Sequence, residues 1–261
     1  MGSAMKRAVP LLTVLAFLLA ACAGPGLAPE RAAGIKSVAL VSGLGDEITL
    51  RYIGSAVVLG DEERRTAVDW PLNESVLAAL SRSLSPRYEI RSLQYDKFSF
   101  NDRTTLAERT VGSSERLTRY LRGLAPPGFV DAYVVVTETA WGGDPITHSG
   151  LPVAGLGLYA RRDVLGGLAV ATYTAYDIHV VDGRSFEELA SAPASIPASK
   201  GAWSSWAYAY STVDPSWWHA SFAEMPDDEK RALRESLIAL IDTSVPFTLE
   251  RLALVGAREA Q

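Results

Sequence analysis

The sequence predicts a single α/β domain, α+β-like in its element order, with a mixed and mostly antiparallel sheet and about three helices packed on it. Three observations predict it. Apolar or alternating runs of strand length recur along the chain, while three other stretches place apolar residues at helical spacing. The helical stretches do not follow every strand, which excludes a doubly wound nucleotide fold. The 261 residues are 48% hydrophobic and 21% charged, a globular composition that fits one domain or two small ones.

The folded part is expected to open at Ser37-Val38-Ala39-Leu40-Val41-Ser42, a compact apolar strand. Residues 48–53 and 55–59 read as two further strands separated by Gly54, and the charged run 60–65 reads as the turn that follows. Pro71 opens a helix with Leu72, Val76, Leu77, Leu80 and Leu84 on one stripe, and Pro86 stops it. Residues 88–93 alternate as a strand, whereas 96–112 are polar and carry no pattern. Ser113 caps a second helix reaching about Leu124, and Pro126-Pro127-Gly128 ends it. Val130 to Thr139 is the strongest strand in the chain, and 144–152 is loop. Residues 155–160 and 168–181 read as a hairpin-like pair, followed by a turn at Asp182-Gly183 and a continuation from Phe186 to Ala190. Pro226 starts the last helix, with Leu233, Leu237, Ile238, Ile241 and Val245 facing the sheet. Pro246 is expected to break or kink it before the pattern resumes to about Val255.

The amino terminus reads as an address. Lys6 and Arg7 precede an apolar run from Ala8 to Leu19, too short to cross a hydrocarbon core that needs roughly 20 residues. The run ends in Leu19-Ala20-Ala21-Cys22, which contains the only cysteine. This tetrapeptide resembles the lipobox of bacterial lipoproteins. The resemblance implies cleavage before Cys22, a diacylglyceryl group on its thiol and acylation of the new amino terminus. Residues 1–21 are then a signal peptide, 22–34 a lipid-anchored flexible tether rich in Gly and Pro, and 35–261 a periplasmic α/β domain. Ala23 after the cysteine, rather than Asp, resembles the sorting signal for the outer membrane. Without Lys6 and Arg7 the basic count falls from 25 to 23 against 30 acids. An acidic body of this kind is not held by anionic headgroups, and it carries no basic field for nucleic acid. The element order also resembles small periplasmic domains of envelope lipoproteins, including activators of cell-wall synthases and secretion-pore lipoproteins.

No catalytic motif survives inspection. Ser42-Gly43-Leu44-Gly45-Asp46-Glu47 follows the first strand but lacks the third Gly of a dinucleotide fingerprint and the Gly-Lys-Ser/Thr of a P-loop. It resembles the start of GDS-type esterases, yet Glu47 stands where their nucleophilic Ser would be. Three histidines offer little for a metal site: His148 in a loop, His179 in mid-strand and His219 beside two tryptophans. No metal or other cofactor is expected, nor any disulfide. The most unusual segment is 203–222, with four of the six tryptophans, Trp203, Trp206, Trp217 and Trp218. Two readings stand: this long connection packs its rings over the sheet as its own small core, or the rings, which present large contact area at low entropic cost, form a binding surface. If the backbone is extended, Trp217 and Trp218 point to opposite faces, one as packing anchor and one exposed. The leading expectation is a non-enzymatic envelope lipoprotein that binds an envelope protein or glycan. One alternative is a carbohydrate- or peptidoglycan-binding module using these tryptophans. A second is a divergent hydrolase using Asp46 and His219.

Overall fold

The computed structural model describes residues 26–54, 61–96, 113–140, 145–146, 153–163, 165–198 and 205–256. The expected signal peptide, Cys22, the strand at 55–59, His148 and Trp203 lie outside the described residues, as do nearly all of 96–112 and 144–152.

The frame is a nine-stranded mixed sheet with helices on both faces. In chain order the elements are α1 (Pro29–Gly34), β1 (Ser37–Ser42), β2 (Glu47–Ile53), β3 (Glu62–Ala67), α2 (Leu72–Leu84), β4 (Glu89–Arg91), α3 (Ser113–Leu124), β5 (Ala132–Glu138), β6 (Gly155–Arg162), β7 (Leu168–Asp182), β8 (Glu188–Pro193), β9 (Ser195–Pro197), β10 (Trp206–Tyr208), β11 (Tyr210–Val213) and α4 (Asp227–Arg251). The sheet runs β3-β2-β6-β7-β5-β1-β4, and β8 and β11 also pair with β7. The β1–β4, β1–β5 and β2–β6 pairs are parallel; the remaining pairs of this sheet are antiparallel. The short strands β9 and β10 form a separate ribbon.

The 15-residue strand β7 organises the sheet. Its first half pairs with β6 and β11, and its second half with β5 and β8. It is therefore central along its whole length, which explains its nearly unbroken burial. Gly157 permits the β2–β6 pairing, because a Cβ there would lie 1.9 Å from the carbonyl oxygen of Thr49. At the start of the sheet, Oδ2 of Asp131 accepts from the backbone N–H groups of Lys36 and Ser37 and from the Ser37 hydroxyl, tying β1 to β5. Burial works against the Asp131 charge, yet these donors hold its pKa below the usual carboxylate range.

One face is covered by α2 and α4. Leu72, Val76, Leu80 and Leu84 from α2 meet Leu233, Leu237, Ile241 and Val245 from α4 over Val134, Val136, Leu158, Ile178 and Val180 of the sheet. Ile238, expected in the same stripe, is only half-buried. On the opposite face, Leu117 and Leu121 of α3 cover Tyr133, Val135 and Val181. A separate group of Val153, Tyr159, Tyr173 and Ala175 lies under Tyr208 and Tyr210.

Three local expectations are corrected. The charged run expected as a turn enters β3, an edge strand on β2; its charges pair along and across the ladder, Arg51 with Glu63 at 3.0 Å and Arg65 with Glu138 at 2.8 Å, and charged side chains suit an edge. The expected tether is shorter than 22–34, because Leu27 and Ala32 are buried and Pro29–Gly34 is helical. Pro246 neither breaks nor ends the last helix, which runs through it to Arg251. Leu240, Ile241, Val245 and Leu249, all buried around the proline, make tertiary packing outweigh one missing backbone donor. The aromatic segment supplies β10, β11 and two 3-10 turns, Pro215–Trp217 and Phe222–Glu224.

Candidate functional site

The aromatic segment packs along one margin of the sheet. β11 pairs with the first half of β7, and Asp214 caps the following turn by accepting from the backbone N–H of Ser216 at 2.8 Å. Trp217 and Trp218 are both half-buried and both pack against the main core. Trp218 stacks on Tyr52 of β2, with ring centroids 5.6 Å apart. The 3-10 geometry replaces the extended backbone on which an anchor-and-exposed pair rested. Phe222 meets Trp70 edge-on at 5.5 Å, and Lys230 lies 5.2 Å above the Phe222 ring. Trp206 starts β10, opposite Pro197 of β9.

The two residues of the hydrolase alternative belong to different hydrogen-bond sets. Asp46 accepts from the backbone N–H of Asn73 at 3.1 Å, which satisfies a free donor in the first turn of α2. His219 Nε2 lies 2.6 Å from Oε2 of Glu229, in the first turn of α4. Both side chains fasten helix starts to the sheet's margin.

A different polar row crosses the face that α3 only partly covers. Thr137 Oγ1 lies 2.9 Å from His179 Nε2, and His179 Nδ1 lies 2.9 Å from Glu188 Oε2. Ser191 donates to the other Glu188 oxygen at 2.8 Å. The hydrogen bond with His179, against the effect of burial, holds the Glu188 carboxyl low; burial pushes the neighbouring Asp177 up. Hydroxyl, imidazole and carboxylate stand in the order of a hydrolytic relay. A relay also needs free N–H donors for an oxyanion, and Thr137 sits inside the β5–β7 ladder, opposite Asp177. The row therefore acts as a cross-strand polar network, satisfying groups that the apolar sheet would otherwise strand. Among the described residues no group of three His, Cys, Asp or Glu is arranged to hold a metal ion.

A concavity lies elsewhere, at the end where the described chain begins and finishes. The Leu27 N–H donates to the Leu252 carbonyl at 3.1 Å. Gly26 lies flat on the end of α4, where a Cβ would come within 2.8 Å of the Arg251 carbonyl oxygen. Tyr88, just beyond α2, donates to the Leu254 carbonyl at 2.7 Å. Beside these contacts opens a groove of about 470 Å³, lined by Ser83, Pro197, Pro246, Phe247, Glu250 and Val255 among others. No sequence pattern pointed to it. Its walls come from α2, β9 and α4, and only the fold brings them together.

No protein-family model matches the chain, and no curated protein matches it. Among solved structures, a similar chain is the lipoprotein GNA1162 from Neisseria meningitidis. It is 14% identical, and the match covers 78% of this chain and 97% of that one, with a TM-score of 0.26. A superposition that loose transfers no residue and no role. Among the described residues no helix is long and apolar enough to cross a membrane.

Proposed function

We propose that this chain is a lipid-anchored, non-enzymatic module of the bacterial envelope, held by an acylated Cys22 in the outer membrane, facing the periplasm, and binding another envelope component. One observation carries the reading. The lipobox-like Leu19-Ala20-Ala21-Cys22 ends an apolar run too short to span a bilayer, and it stands only five residues ahead of Leu27, the first buried side chain among the described residues. Such spacing sets the proposed anchor close against the folded domain. The half-buried Trp217 and Trp218, with Trp203 and Trp206 from the same segment, are the contact surface proposed for the partner, because partly open aromatic rings on a packed base suit recognition.

The test is mass spectrometry of the mature amino terminus together with fractionation of membranes. The expected result is an acylated Cys22 in the membrane fraction, and a soluble or unprocessed protein for Cys22→Ser. A mature terminus at any other residue, unmodified, overturns the proposal.

A further inference from the structure

We infer that the end of the domain where α4 finishes rests on the bilayer, and that the groove there takes an acyl chain of a membrane phospholipid. The inference depends on the acylation of Cys22 proposed above. Three residues lie between Cys22 and Gly26, so four Cα–Cα steps join them, and a fully extended chain spans at most about 3.5 Å per residue. The anchor therefore lies within about 14 Å of Gly26. Gly26 itself is fixed against Arg251, and Leu27 against Leu252. The 25 residues of α4 make a rod of about 37 Å, so its other end is well beyond the reach of the tether. The groove is not: Phe247 stands one helical turn before Arg251, and Val255 follows it closely.

The chemistry of the walls selects the occupant. Pro197, Pro246, Phe247 and Val255 offer apolar surface, while Glu250 and Ser83 offer polar partners. An amphiphile fits that mixture, its hydrocarbon against the prolines and Phe247 and a headgroup ammonium within reach of the Glu250 carboxylate. Glu250 is the only charged side chain among the described residues lining the groove, and a carboxylate there favours the ammonium of phosphatidylethanolamine over an anionic headgroup. Because the anchor already holds the groove at the surface, even weak intrinsic binding suffices.

The test uses the full lipidated protein in vesicles of phosphatidylethanolamine and phosphatidylglycerol. An environment-sensitive fluorophore is placed on Val255→Cys and, as a variant at an exposed groove position, on Thr243→Cys; the native cysteine is blocked by its lipid. Leu165→Cys is the control. Leu165 is 93% exposed in the β6–β7 turn. It lies at the far end, because α4 runs alongside β7, Ser236 meeting Thr172 and Ser244 meeting Tyr176. Expected is quenching by a spin label carried on the lipid acyl chain, several-fold stronger at 243 and 255 than at 165. Quenching by a headgroup label alone overturns acyl-chain binding. So does equal quenching at all three positions, and so does fluorophore self-quenching between copies without any lipid effect. The mass of the mature amino terminus, read on the same samples, shows separately whether the anchor itself is present.

Discussion

The two faces of the sheet solve the same burial problem with different materials. The face under α2 and α4 is closed by two helices, one of them the 25-residue α4, over one continuous apolar cluster. Polar groups there pair across the helix–sheet boundary, Ser236 with Thr172 and Ser244 with Tyr176, each at 2.7 Å. The opposite face is divided. α3 covers one part, tyrosines cover another, and the Thr137–His179–Glu188 row runs between them. A sheet with one long cover can be apolar throughout, whereas a sheet with two short covers needs polar residues at the seam, where water approaches. Stability should therefore concentrate on the α4 face, and sensitivity to pH on the other.

The largest expected effect tests the first half of that contrast. Leu237→Ala removes a fully buried side chain of α4 and should cost about 2–5 kcal/mol in denaturant unfolding. A cost under about 0.5 kcal/mol, typical of surface sites, would show that α4 does not carry the core. Tyr176→Phe is milder. It deletes the hydroxyl bonded to Ser244 and should cost about 1 kcal/mol, with little change in the slope against denaturant.

Glu188→Gln sharpens the second half. Glu188 has a lowered folded-state pKa, first through His179. Its contribution is present above the unfolded value of about 4.3 and is lost as pH falls through the folded value. The side chain is 28% exposed, so the cost at neutral pH should be about 0.5–1 kcal/mol, and the gap to the unmodified chain should close in acid. A gap independent of pH would mean that the charge on Glu188 plays no part. Tyr133→Phe gives the smallest effect and a different sign. The Tyr133 hydroxyl is buried and has no hydrogen-bond partner among the described residues, so its removal should leave melting temperature unchanged or slightly raised.

The frame was readable from the sequence because its signals are local. The alternation in 168–181 and the stripe from Leu233 to Val245 both gave true elements. What failed depends on neighbours distant in the chain. Charges at 62–65 look like a turn until Glu63 finds Arg51 and Arg65 finds Glu138. Pro246 looks like a stop until buried residues on both sides of it hold the helix in place. Residues 27–34 look like a tether until Leu252 meets Leu27. The groove had no local signal at all, since Ser83, Pro197 and Phe247 are far apart in sequence. Of the four tryptophans singled out, Trp217 and Trp218 prove half-buried rather than divided between core and solvent.

The meeting of Leu27 with Leu252 has a consequence for engineering. Among the described residues the first and last stretches lie side by side, so a short linker could join them and new ends be opened elsewhere. The β6–β7 turn, with its exposed Leu165, is a natural place to cut. A lipid signal grafted onto such a permuted chain would suspend the same fold by its opposite pole. Under the anchoring proposed above, the end of α4 would then face away from the membrane, while composition and core stayed the same. Orientation would become a variable separable from anchoring, set only by where the chain is opened.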